Sequence, residues 1–416
     1  MASSADKYQI FQRNDGSVWW VRFSIPGEGQ IRKSLATHDE GEAERKAAKV
    51  WHDAMYRHEH GMRAVQRSFR VVAEEYVEHA HQMSRTGEKR ADRGKRIEGL
   101  VRRYFIPFFQ EKQIDAIRDQ DVTRYWAWRK TYWTEGPGKN QMEFTYVRKG
   151  KVVRNKTTQM RGAPSLSTQR GEAVVLSELF KQSIKWGYLG KGLAPEIKAS
   201  RVPPSPRPSF SADEMALLMR LATQRAFDPT VNEEVRRDRT ILLSYVSIAS
   251  LTGLRPTEMK NLNWGDVLGY REGLSKKLRD RDIRIRCRGK GKSREAVPLE
   301  LALAYFDALW RQWQKDHGTE PSDSDPVFAS KARKRITKLN KSLNSLLDVA
   351  SLKRDHRDKP RDAYSFRHFY ISQQLLAGVD VFALARNAGT SPDMIDKHYG
   401  QVSNEQMRET LRPQWK

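Results

Sequence analysis

Leu251-Thr-Gly-Leu-Arg255-Pro-Thr-Glu258-Met-Lys-Asn-Leu262-Asn-Trp264-Gly-Asp266-Val267 is the stretch from which the rest of this 416-residue chain is best read. An apolar run with helical spacing, 241–251, leads into Gly253, and Arg255 follows at once. Pro256 suits the first position of a new helix. Arg255 is therefore expected at a helix-to-helix corner, with backbone N–H groups close by, where a guanidinium can grip a phosphate. Glu258, three residues on, falls on the same side of the new helix and can orient that guanidinium. Taken alone, such an Arg–Glu pair is more often structural than functional.

Two clusters follow. In the first, Ile283 and Ile285 alternate with arginines as a half-buried strand, Gly289 to Ser293 forms a basic turn, and 296–299 is expected to return as the partner strand. Lys290, Lys292 and Arg294 lie at or beside its tip. Such a tip suits a DNA groove, and equally reads as a solvated basic turn. In the second, Ala363-Tyr364-Ser365-Phe366-Arg367-His368-Phe369-Tyr370 leads a helix that ends near Gly378, and another helix covers about 381–387. Gly389-Thr390-Ser391-Pro392-Asp393 is a turn, with Ser391 as N-cap and Pro392 at N1 of a short helix carrying Met394, Ile395, His398 and Tyr399. By itself Tyr399 reads as a packed or surface tyrosine.

Toward the N-terminus the periodicity changes. Residues 8–36 read as strands around Asn14-Asp15-Gly16 and Pro26-Gly27-Glu28-Gly29. Residues 39–60 read as a helix with Ala43, Ala47, Val50, Trp51 and Ala54 on one face, and Trp19, Trp20 and Phe23 read as the core beneath it. Residues 68–200 are expected to be helical, with segments around Phe69–Val77, 97–105 (stopping before Pro107), 122–129 and 174–184. A Gly-, Lys- and Arg-rich insertion, 135–163, interrupts them, and 144–153 suits a hairpin around Lys149-Gly150. Four prolines in 199–209 make an extended linker, and Ser211-Ala-Asp-Glu214 has the form of a capping box. The expected division is 1–64, 65–200, a linker at 201–209, and 210–416. The chain is expected to be multidomain and mainly α, with small β-sheets.

Composition narrows the partner. The chain holds 76 Lys and Arg against 51 Asp and Glu, a net charge of +25, which calls for a polyanion, nucleic acid before membrane. Cys287 is the one cysteine, so an intramolecular disulfide and a Cys-rich zinc finger are excluded, and the cytosol is the expected compartment. No apolar run reaches the roughly 18 residues of a membrane span, and Met1 to Ile10 lacks the apolar core of a secretory signal.

Order and spacing join the three clusters. The sequence resembles the tyrosine recombinase (phage integrase) family, of the lambda type. Arg255, Glu258, Leu262, Trp264 and Asp266 match its first box. Lys290, eight residues before Pro298, matches its hairpin lysine, Arg367 its second arginine, and Tyr399, nine residues after Thr390, its nucleophile. Tyr364 stands where the family usually has His or Lys, and Thr390 where it has His or Trp. His368 and His398 adjoin these positions without filling them.

The resemblance implies an N-terminal β-sheet-plus-helix arm-binding module over 1–64, a helical core-binding domain over 65–200, and a mixed α+β catalytic domain over 210–416. It implies a site-specific recombinase that cleaves and rejoins double-stranded DNA through a 3′-phosphotyrosine at Tyr399, integrating or excising a phage or other mobile element. Arg255 and Arg367 would bind the phosphate and Lys290 would protonate the leaving 5′-oxygen. Lys290, Lys292 and Arg294 would touch DNA, and Tyr364 and Thr390 would complete the catalytic set. A homotetramer on core and arm sites, with DNA-bending accessory proteins, follows from the same resemblance. Neither ATP nor a metal is required, and no cofactor is expected. The alternatives are a catalytically silent, sequence-specific DNA-binding protein on this fold, for which Tyr364 and Thr390 speak, and a basic structural or RNA-binding protein.

Overall fold

Alternation of buried and exposed residues over 21–25 sets the central strand of the first sheet in the computed structural model, which describes residues 7–13, 16, 18–148, 151–157, 162–198, 201, 207–289, 292–337 and 339–399. Strands β1 (Gln9–Gln12), β2 (Trp19–Ile25) and β3 (Gly29–Ser34) form an antiparallel sheet in that order, with Phe11 opposite Trp20 and Phe23 opposite Ile31. Val21, Phe23 and Ile25 are buried on the face that meets helix α1 (Glu40–Glu59) through Ala43, Ala47 and Ala54. Asp39 caps α1, accepting from the Glu42 N–H at 2.6 Å. Trp19 packs on this core, but Trp20 does not. The pleat turns it to the opposite face, where the Arg13 guanidinium lies 3.9 Å from its ring centre.

The contact pattern divides the chain into two compact units, 1–203 and 204–416. The first also holds α2 (Phe69–Arg85), α3 (Arg93–Leu100), α4 (Ile106–Phe109), α5 (Asp119–Thr131), the strands β4 (Glu143–Arg148) and β5 (Lys151–Lys156), and α6 (Leu166–Lys185). Phe69, Val72, Tyr76, Ile97, Phe105, Tyr125, Leu176 and Phe180 share one core. Val174, expected with them, is exposed. The helix expected to stop before Pro107 runs past it. A π-helical turn, Val101–Phe105, precedes the proline. Its wider hydrogen-bond spacing accommodates a residue that lacks an N–H and crowds the carbonyl four positions back. The basic insertion does contain an antiparallel hairpin, with Val147 opposite Val152; Lys149 and Gly150 at its tip lie outside the described residues.

Buried charge in this unit is matched. Arg129 and Glu172, both nearly inaccessible, pair at 2.8 and 3.0 Å, and Tyr125 donates to the same carboxylate at 3.2 Å. Arg57, near the end of α1, pairs with the buried Asp115 and donates to the Arg63 and Tyr188 carbonyls.

The second unit is built on α8 (Glu233–Thr252), every residue of which from 241 to 250 is buried. A helix apolar on all sides belongs at the centre of its neighbours, here α7 (Ala212–Ala226), α11 (Leu301–His317) and α13 (Ala363–Leu376). Its buried Ser247, Ser250 and Thr252 turn their hydroxyls back onto carbonyls of the same helix. Short α9 (Pro256–Asn261) and α10 (Tyr270–Gly273), α12 (Asn340–Val349), α14 (Val381–Ala388) and a helical segment at 392–399 complete the helices among the described residues. Ser211 and Glu214 make the expected capping box at α7.

Strands β6 (Val267–Leu268), β7 (Arg284–Gly289) and β8 (Lys292–Ala296) form the sheet of this unit. The return strand is therefore 292–296, not 296–299. Gly289 pairs with Lys292, so the loop between them is only two residues long, and Val297 is already exposed. The chain is mainly helical with small antiparallel sheets, as its periodicities predict. Among the described residues no helix is long and apolar enough to cross a membrane.

Replacing Arg129 with Met strands the Glu172 carboxylate in the core. The first unit should lose about 3–5 kcal/mol in urea unfolding, and a double Arg129→Met, Glu172→Leu chain should recover most of it. A single-variant loss below about 1 kcal/mol would mean that the pair is not holding this core together.

Candidate active site

Arg255 is placed by the end of α8. Gly253 adopts a left-handed conformation (φ 63°), and a Cβ there would fall 2.3 Å from the Tyr370 ring. Glycine is thus needed for both the turn and the packing. The chain then reverses into α9 with Arg255 as N-cap and Pro256 at N1. Glu258, buried, accepts from the Arg255 backbone N–H at 2.9 Å and from its Nη1 at 2.7 Å. The second carboxylate oxygen also accepts from Arg294 Nη2 at 2.8 Å, reaching across from β8. Arg255 Nη2 donates to the Gly389 carbonyl.

Arg367 lies in the second turn of α13 and is buried. Its Nη1 donates to the Gly253 carbonyl at 2.7 Å and the Ala388 carbonyl at 2.6 Å. Burial, and next the neighbouring Arg255, pull its pKa down to about 10, which leaves it charged at neutral pH. Gly389 ends α14 in a left-handed conformation (φ 67°), and a Cβ there would meet Arg294 Nε at 2.1 Å. Thr390 follows, half-buried, its N–H bonded to the Ala385 carbonyl at 2.9 Å. Two guanidinium groups, Arg255 and Arg294, thus share one carboxylate with Arg367 nearby, and among the described residues the buried Nε and Nη1 of Arg294 have no hydrogen-bond partner.

Tyr399 ends the described part of the chain in the helical segment 392–399, which begins where Ser391 Oγ accepts from the Met394 N–H at 3.3 Å. Its ring is buried with Tyr370, Ile371, Leu375 and Ala388. Its hydroxyl is hydrogen-bonded to Nδ1 of His368. Burial raises the tyrosine's pKa, and Arg367 and Arg207 offset part of that rise. Burial, then Arg207 and Arg367, push His368 down to about 3, so its imidazole is neutral. Tyr364 stacks on it from one turn earlier, ring centres 6.2 Å apart, and is itself exposed.

The fold therefore brings Arg255, Arg367, Thr390 and Tyr399 to one place and adds Arg294 from the hairpin. Tyr364 stands at the edge, against His368 rather than among the arginines. Lys290 lies outside the described residues, and only the backbone of Lys292 is described, as the first residue of β8. His368 is the residue that sequence reasoning set aside. Its adjacency to Arg367 was the available signal, but which neighbour of Arg367 faces Tyr399 depends on how the last helical segment docks.

Residues 211–406 match the phage integrase family. No curated protein matches the chain by sequence. A solved lambda integrase dimer bound to a COC' core site is similar at a TM-score of 0.53 and 12% identity, over 98% of this chain and 97% of that one. A Tn1549 transposon integrase in complex with transposon right end DNA gives 0.52 and 15%, over 82% and 99%. A XerH site-specific recombinase bound to a palindromic difH substrate gives 0.51 and 14%, over 81% and 84%. At these identities the likeness is one of fold.

His368 carries a pH signature. Its folded pKa, about 3, lies below its ordinary 6.5, so between these values the unfolded chain binds a proton that the folded one refuses. The stability that this neutral imidazole contributes is fully present above about pH 6.5 and is lost as pH falls toward 3. The stability lead of wild type over His368→Gln, read from urea unfolding of the second unit, should narrow from about pH 7.5 to about pH 5. A lead unchanged with pH would show that the imidazole takes up its proton as readily folded as unfolded.

Proposed function

Residues 211–406 match the phage integrase family, and from that premise we propose that the protein is a site-specific DNA recombinase that cuts and rejoins strands through a phosphotyrosine at Tyr399. The observation that carries the reading is the convergence, within one chain, of Arg255, Arg367 and Tyr399 from three separated segments.

A phosphodiester repels nucleophiles with its own charge, and its pentacoordinate transition state carries more. Arg255 and Arg367 hold the non-bridging oxygens and stabilise that charge, a role in which a single donor is commonly worth a factor of about 10²–10³. The Tyr399 oxygen attacks phosphorus and the 5′-oxygen leaves. Lys290, which the resemblance assigns as general acid, supplies the leaving oxygen's proton. The 3′-phosphotyrosine conserves the bond energy, so a 5′-hydroxyl of another strand reseals the backbone without ATP or a metal. Thr390 offers a hydroxyl to the phosphate where the family offers a charged or aromatic ring.

The substrate is double-stranded DNA at core-type sites, in line with the net charge of +25. The sheet β1–β3 with α1 is assigned to arm-type sites, and the helices between α2 and α6 to the core. Exchange between two duplexes needs four active sites, hence a tetramer on DNA. The reaction integrates or excises a mobile element.

Nicked attachment-site DNA incubated in EDTA with wild type should give a protease-sensitive, slower band on a denaturing gel, and Tyr399→Phe should give none. DNA that binds specifically but forms no such band with wild type would leave a DNA-binding protein without catalysis.

A further inference from the structure

We propose that His368 is the base that takes the Tyr399 proton, filling the role left open by Tyr364 and Thr390; the proposal rests on the recombinase reading above. Among the described residues His368 is the hydrogen-bond partner of the Tyr399 hydroxyl. With the ring proton on Nε2, Nδ1 presents a lone pair and the hydroxyl donates to it. The imidazole is held from both sides, by the Tyr364 ring at 6.2 Å and the Tyr399 ring at 5.7 Å. It follows Arg367 directly on α13, and Arg367 is pinned to the Gly253 and Ala388 carbonyls. One helical turn therefore fixes both the phosphate-binding guanidinium and the proton acceptor.

The surroundings keep the acceptor empty. The charged or titratable groups that face His368 are Arg207, Arg367 and His398, with Tyr364 and Tyr399. Their positive charge, with burial, favours the neutral ring, while burial favours the protonated tyrosine. At rest the proton stays on Tyr399. A phosphodiester seated on the arginines brings negative charge beside the imidazole and raises its basicity, and the forming O–P bond makes the phenolic proton acidic. The proton then moves to Nδ1 as the bond forms.

In that step the Tyr399 O–H bond breaks and its proton passes to His368. The Oη–P bond forms and the P–O5′ bond breaks. The 5′-oxygen takes its proton from the general acid assigned to Lys290. On resealing, an incoming 5′-hydroxyl attacks phosphorus and passes its proton to the amine assigned to Lys290, the Oη–P bond breaks, and His368 returns its proton to the departing Tyr399 oxygen. No oxidant or reductant is involved.

The test compares ordinary nicked site DNA with the same DNA carrying a bridging 5′-sulfur at the scissile phosphate. A thiolate leaves without a proton, so sulfur rescues loss of the acid but not loss of the base. Single-turnover formation of the covalent adduct is followed on denaturing gels for wild type, His368→Gln, His368→Ala and Lys290→Ala. His368→Gln should slow cleavage about 100-fold on both DNAs while still binding the site. Lys290→Ala should be slow on the oxygen-bridged DNA and recover on the sulfur-bridged one. Free imidazole should restore part of the rate to His368→Ala, which a merely structural role would not allow. The idea is overturned by a His368→Gln rate within about threefold of wild type. It is equally overturned by a His368→Gln defect that sulfur erases, or by a His368→Ala chain indifferent to imidazole. A wild type that forms no adduct on either DNA would overturn the recombinase reading itself, and is distinguishable from all of these.

Discussion

The buried carboxylate of Glu258 is the constraint on which the second unit depends. It fixes Arg255 at the start of α9 and Arg294 on β8, and so ties a helix corner to the sheet. Arg255 and Arg367 then complete a further element. The last carbonyls of a helix have no partner inside it, and at the end of α14 these are the Ala388 and Gly389 carbonyls, bonded to Arg367 and Arg255. Two guanidinium groups thus cap a helix whose partial negative end they complement. Removing Glu258 would leave its arginines facing one another and that helix end without a fixed partner.

Much of this was legible in the chain itself. The run of apolar residues into Gly253, with Pro256 just after Arg255, specifies a corner by local chemistry alone, and the Arg255–Glu258 pair follows from a three-residue spacing on one helix. Capping boxes and hairpins are likewise local, and they appear where the residues ask for them. The unread parts are contacts between distant segments. Arg294 reads as a basic hairpin residue until β8 is seen against α9, because the two-residue loop shifts the return strand toward the tip. Trp20 looks like core until the pleat is counted from Val21. His368 gains its meaning only when the segment 392–399 packs onto α13.

The neutral side chain at position 390 has an electrostatic setting. Thr390 follows Gly389 directly, and Gly389 is in contact with Arg294 and bonded to Arg255. A protonated histidine here would add another cation beside Arg367 and the two guanidinium groups that share one carboxylate, and like charges at such range disfavour ionisation. A threonine keeps a hydroxyl donor near the same place without that repulsion. The charge near this position is instead that of Arg294, whose Nε and Nη1 find no partner among the described residues.

Outside the site both units match buried arginine to a carboxylate, in the second as Arg237 with Asp316, and the contrast with the surroundings of Glu258 separates support from the proposed reaction. In the first, Arg129 meets Glu172 and Arg57 meets Asp115, one carboxylate to each guanidinium. Such pairs are closed in charge, because removing either partner strands the other. Around Glu258 the count does not close. Two guanidinium groups share one carboxylate, the still deeper Arg367 beside them already has its pKa drawn down to about 10, and a helix end supplies only carbonyl dipoles in compensation. Uncompensated charge out of water costs several kcal/mol per ion, so this arrangement is stable against the rest of the fold but incomplete in itself. On the proposed recombinase reading, what completes it is an anion with oxygens to spread across several donors, and Tyr399, buried beside Arg367 with its hydroxyl on a neutral imidazole, is the side chain that would meet it.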